Sequence, residues 1–212
     1  MDFDYEVIRT YAYDKSSSIL IKNNSMGFII WSNAITLPFV FFTEMHRIMA
    51  IALISADILT CLASALAMIF TKYNKPYSIL FFGITSFGLS LGHLFGIMYL
   101  IYYAAGIGSF YVLSISIVGY LVMFIGISFY HYKALVLNKY YRKKKTVGIV
   151  ASLLPVTGII VLAIGKSLKG FNQTSVVLIL AACLSFFVFV FIFGTHNIFK
   201  FIVIKKYSIE LE

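Results

Sequence analysis

The sequence predicts an all-α fold, a polytopic bundle of transmembrane helices, on three observations. Of 212 residues, 61% are hydrophobic and 12% charged, against about 45–50% and about 25% in soluble domains. The apolar residues gather in five blocks, at 48–70, 78–103, 110–130, 147–165 and 176–195, each near the ~20 residues that cross a hydrocarbon core of ~30 Å. The basic residues sit between the blocks, and 131–146, HYKALVLNKYYRKKKT, alone holds six of the 17 Lys and Arg. A backbone in lipid must satisfy its own polar groups. The blocks lack the two-residue alternation of barrel strands, so helices are the expected solution.

Residues 1–26 form a cytosolic tail. It carries Asp2, Asp4, Glu6 and Asp14 and no basic stretch followed by an apolar core, so it does not read as a secretory signal. Alternation through Tyr5, Val7, Arg9, Tyr11 and Tyr13, with the serines 16–18 as a turn into ILIK, suits either a small hairpin or an irregular tail. The block at 27–42 is short and contains Ser32, Asn33 and Pro38. By itself it reads as a first span, giving six in all, or as a re-entrant segment or an interfacial helix, leaving five. In the block at 147–165, Pro155 beside Thr157 and Gly158 predicts a kink whose freed backbone groups Thr157 or a neighbouring helix satisfies. Short connections make consecutive spans antiparallel hairpins. Residues 27–205 are thus one transmembrane domain with a basic cytosolic loop at 131–146, followed by a short tail at 206–212.

Charge orients the spans, because Lys and Arg are retained on the cytoplasmic side. With the loop inside, alternation brings Lys72, Lys75, Lys200, Lys205 and Lys206 inside, and a spanning first block adds Arg9, Lys15 and Lys22. Only Arg47, Lys166 and Lys169 remain outside, a split of 14 to 3, whereas a re-entrant first block gives 11 to 6. Six spans with both termini cytoplasmic, in a bacterial cytoplasmic membrane, is the expectation. The formal charge of +9 then records topology, and direct nucleic-acid binding is not expected. Lys139, Arg142, Lys143, Lys144 and Lys145 are also a candidate contact for an acidic partner or anionic lipid headgroups.

Asp57 is the sharpest single residue. A carboxylate in mid-span costs a few kcal/mol unless it is paired or faces water. It stands nine residues, about 14 Å, from the outer end of its block, and His93 stands ten residues, about 15 Å, from the same side on the next block. The packing pattern agrees: Gly88, Gly92 and Gly96 form a small-residue ridge on one block, and Ala52, Ala56, Thr60 and Ser64 form another on its neighbour, a pattern that lets helix backbones approach closely. Asp57, His93, Asn33 and Thr157 therefore make up a candidate mid-membrane polar site. It serves either a substrate, ion or proton, or a buried pair that pins two helices.

Catalytic motifs are missing. The chain has no HExxH, no GxSxG, no paired membrane aspartates and no phosphate-binding glycine loop. Cys61 and Cys183 lie inside apolar blocks and read as small hydrophobes. No catalytic residue, metal or cofactor is expected. The leading expectation is a non-enzymatic membrane subunit that assembles with itself or a partner protein, of the kind used in toxin immunity, phage defence, stress sensing or secretion. The alternative is a small transporter or channel component built on Asp57 and His93. A lipid-modifying intramembrane enzyme is the third class, and it would need an activated nucleophile that the sequence does not show.

Overall fold

A computed structural model of the chain describes residues 18–42, 47–105, 109–136 and 173–209. Nearly all the described residues are helical, with no strand among them. The helices are α1 (Ser18–Phe42), α2 (Arg47–Tyr73), α3 (Lys75–Ala105), α4 (Ser109–Val136), α5 (Gln173–Gly194) and α6 (His196–Lys206). Among the described residues, three stretches are long and apolar enough to cross a membrane: Arg47–Tyr73, Lys75–Tyr102 and Ile179–Lys206, the last running through α5 and α6. The protein is a membrane-embedded helical bundle. The expectations for the tail at 1–17, for basic residues Lys139, Arg142, Lys143, Lys144 and Lys145, and for the block with Pro155 and Thr157 lie outside the described residues.

Helices α1 and α2 turn mainly small and polar residues inward, while α3, α5 and α6 also bury large side chains such as Leu89, Met98, Phe187, Phe191, Ile192 and Ile204. On α2 the buried positions are Leu53, Ala56, Thr60, Ala63, Ser64 and Ala67, while Ile51, Ile54, Ile58, Leu62, Leu66 and Ile69 are exposed. Lipid tails solvate isoleucine as well as a protein core does, so nothing draws the large side chains inward. Small residues go to the seam instead, where close approach multiplies dispersion contacts. Helix α1 follows the same rule: Ser25, Ser32 and Thr36 are buried, and Met26, Ile30, Leu37 and Phe41 are exposed.

Helix α1 starts nine residues before the apolar block does, so the hairpin option for the serines and ILIK gives way to helix from Ser18. Packing decides this. Ile21 is 2% exposed, in a cluster with Ala67, Ile79, Val203 and Ile204, and only a helix continuous with the Ser25 face presents it there.

Helix α3 is the centre. It packs on α1, α2, α5 and α6, with a lighter contact to α4. Asn74 alone links α2 to α3. Its N–H donates to the Phe70 carbonyl at 2.9 Å, and its side-chain oxygen accepts from the Tyr77 N–H at 3.4 Å. Pro76 sits in the first turn, where its missing N–H leaves no gap in the helix ladder. At the other end of the chain, a turn at Thr195 separates α5 from α6. The Thr195 hydroxyl donates to the Ile192 carbonyl at 2.6 Å and the Asn197 amide to that of Gly194 at 2.8 Å. The apolar block ends at 195, but the chain resumes as helix for 11 residues. This is possible because Gly83 lets α6 lie against α3: a Cβ there would stand 2.8 Å from the backbone nitrogen of Ile198.

Candidate functional site: a mid-membrane polar layer

The polar layer is built where α1 covers the seam between α2 and α3. A Cβ on Gly88 would meet the Thr60 backbone nitrogen at 3.2 Å and the Ala56 carbonyl at 3.3 Å, and one on Gly92 would meet the Ala56 Cβ at 3.9 Å. Ala56 and Gly92 therefore oppose each other, and their successors, Asp57 and His93, stand at one level. Gly96 faces elsewhere: its nearest neighbours are Leu184 of α5 and Phe39 of α1.

Asp57 and His93 do not bond each other. The Ser32 hydroxyl donates to Asp57 Oδ1 at 2.5 Å, and the Cys61 thiol, one turn along α2, lies 4.0 Å from the same oxygen. The Trp31 indole N–H donates to His93 Nε2 at 3.1 Å, and His93 Nδ1 donates to the Leu89 carbonyl at 2.7 Å. With Nε2 accepting, the ring proton sits on Nδ1 and the imidazole is neutral. Asn33, the third of three consecutive polar-tipped residues, donates to the Ile29 carbonyl at 2.8 Å and to Cys61 Sγ at 3.4 Å. Two depth-matched groups are thus each engaged by adjacent residues of a third helix. The physical reason is rotational: one residue past the seam on a helix is a turn of about 100°, which carries both side chains toward the covering helix.

The surroundings of the two groups differ. His93 is 2% exposed, with its ring centroid 5.1 Å from that of Phe191 and 5.7 Å from that of Phe187, and the Trp31 ring lies 5.0 Å from Phe187. This is a buried aromatic stack. Asp57 is half-buried, and no basic side chain bonds it among the described residues. Further polar ties run along α3. Ser64 donates to Thr85 at 3.3 Å toward α2, and Ser90 shares a 2.7 Å hydrogen bond with Tyr120 of α4. Among the described residues no three His, Cys, Asp or Glu side chains come together as metal ligands.

Sequence reasoning singled out Asp57, His93 and Asn33 but missed Trp31, Ser32, Cys61 and Tyr120 as partners. Trp31 is the one tryptophan in the chain. An indole N–H inside a membrane block requires an acceptor, so it was a usable signal. Asp57→Asn keeps a side-chain oxygen for the Ser32 hydroxyl. It is expected to change stability by less than about 1 kcal/mol, within the usual worth of one interhelical hydrogen bond in a membrane. Denaturation in mixed micelles checks this, and a loss of several kcal/mol would mean that the charge itself holds α1 in place.

Searches of protein-family models, curated proteins and solved structures find no match to this chain.

Proposed function

We propose that the chain is a non-enzymatic subunit of a membrane assembly, a six-span bundle with both termini on the cytosolic side of a bacterial membrane. Its expected settings are those of toxin-immunity, phage-defence, stress-sensing or secretion-accessory components. The observation that carries the proposal is the use made of the polar layer. Trp31 with His93, Ser32 with Asp57, Asn33 with Cys61, Ser64 with Thr85 and Ser90 with Tyr120 all tie one helix to another. Polar groups committed to each other hold a scaffold together and leave recognition to the outer surfaces, where apolar helix faces meet other spans and the basic loop meets an acidic partner.

Native mass spectrometry after extraction in mild detergent, with cross-linking in the membrane before extraction, tests the assembly. A defined oligomer or a stoichiometric partner is expected. A strict monomer by both methods contradicts the proposal. Labelling of single cysteines introduced at Lys143 and at Glu212 tests the topology, and both are expected to react only from the cytosolic side.

A second reading, a transporter or channel component, has one observation in its favour: Asp57 is half-buried and, among the described residues, is partnered by a hydroxyl and a thiol, an arrangement open to a proton or a cation. Flux into liposomes decides it. Under the scaffold proposal the native protein carries none. A native flux that falls at least about tenfold in Asp57→Asn establishes the transport reading instead.

A further inference from the structure

One end of the bundle collects lysines from four helices around a single apolar plug. The plug is the cluster Ile21, Ala67, Ile79, Val203, Ile204 and Ile209. Lys22 follows Ile21 in α1, Lys72 lies in the last turn of α2, Lys75 opens α3, and Lys205 and Lys206 close α6. Lys22, Lys72, Lys205 and Lys206 are exposed. The Lys205 ammonium stands 4.9 Å over the Tyr77 ring, which in turn meets Phe201 at 5.3 Å and Phe70 at 5.7 Å. The end of α6 is therefore held against the corner between α2 and α3, and charges remote in sequence share one rim.

Among the described residues this rim is wholly basic, since Asp57, in mid-membrane, is the one carboxylate among them. Just inside the rim, Ile69 of α2 and Ile202 of α6 are both 53% exposed, and Tyr73 is 79% exposed. A ligand that fits must offer negative charge to the ammonium groups and hydrocarbon to the isoleucines. A free anion meets only the first condition. We propose that this end of the bundle is a binding site for an anionic phospholipid. Its phosphodiester headgroup is held by Lys72, Lys205 and Lys206 with Lys22, and its acyl chains lie along α2 and α6. The site takes none of its residues from the basic stretch at 131–146 and does not require the subunit role.

The test uses the full-length protein, delipidated in mild detergent, with its thermal midpoint followed as phosphatidylglycerol, phosphatidylcholine or inorganic phosphate is added. Phosphatidylglycerol is expected to raise the midpoint at concentrations at least about tenfold below those at which phosphatidylcholine acts, since each surface lysine contributes on the order of a fewfold preference for an anionic leaflet. Inorganic phosphate at the same concentrations is expected to do nothing. Combining Lys22→Gln, Lys72→Gln, Lys205→Gln and Lys206→Gln should abolish the preference, while Lys143→Gln with Lys144→Gln and Lys145→Gln should keep it. Equal response to the two lipids overturns the proposal, as does an equal shift with inorganic phosphate, which would assign a free anion. Preference lost in the loop variant and kept in the helix-end variant overturns it as well. Should the fourfold variant fail to fold, Lys72→Gln and Lys206→Gln are measured singly. Each is expected to weaken the preference about threefold, and no change in either overturns the site.

Discussion

Gly88→Leu is expected to destabilise the bundle by about 3 kcal/mol or more, the upper part of the range for overpacked sites. The first added carbon already meets the Thr60 backbone nitrogen at 3.2 Å and the Ala56 carbonyl at 3.3 Å. Backbone atoms in mid-helix cannot rotate aside, so α2 and α3 must separate along the seam. Separation removes dispersion contacts that nothing replaces, because lipid supplies no hydrophobic drive to push helices together. Three companion variants distinguish this cause from a general intolerance of change. Gly92→Ala places its methyl 3.9 Å from the Ala56 Cβ, an ordinary contact, and Gly119 and Gly126 on α4 have nothing within 4 Å. Gly92→Ala, Gly119→Leu and Gly126→Leu are therefore expected to stay within about 1 kcal/mol of the native protein, helped by the better helix propensity of Ala and Leu. Unfolding in mixed micelles titrated with a denaturing detergent gives the comparison. A Gly88→Leu protein as stable as Gly126→Leu would show that the α2–α3 seam is looser than described.

His93→Ala is expected to cost about 3 kcal/mol, and most of that cost comes from packing. The ring is 2% exposed among Trp31, Phe187 and Phe191, and truncating a buried aromatic side chain such as Phe to Ala costs about 3–5 kcal/mol in protein cores. The Trp31–His93 bond adds less, since interhelical hydrogen bonds in membranes average about 0.6 kcal/mol. Two variants separate the terms. Trp31→Phe removes the donor and keeps an aromatic ring, so it should cost about 1 kcal/mol. His93→Phe keeps the volume and strands the indole N–H, so its cost should fall between the other two. If Trp31→Phe instead matches His93→Ala, the hydrogen bond governs the site and α1 is held chiefly by its polar contacts.

Much of the fold was legible in the sequence because lipid imposes simple rules. Long apolar blocks must be helices, and the blocks at 48–70, 78–103, 110–130 and 176–195 lie within or nearly within helices α2, α3, α4 and α5. Their ends were set short. Helices run on past these blocks into residues such as Lys72, Tyr73, Tyr132 and Lys133, whose long side chains can reach headgroups and water. The first block was the hardest to read. Its inward face carries Ser25, Ser32 and Thr36, which lowers its apolar character while serving the bundle.

What the sequence determined by itself is the helical, membrane-embedded class of the protein and the level of its polar residues. Composition sets the first, and counting along a helix of fixed rise sets the second. Only the tertiary structure decided which polar groups meet. Depth placed Asp57 opposite His93, but side-chain direction and a covering helix gave Asp57 to Ser32 and His93 to Trp31. The same holds at the end of the bundle, where lysines remote in sequence share one rim because α6 docks on the corner between α2 and α3. Position along a helix is a local property of the chain. The choice of partner depends on rotation about each axis and on which helix fills the groove, and those are fixed only when the helices pack.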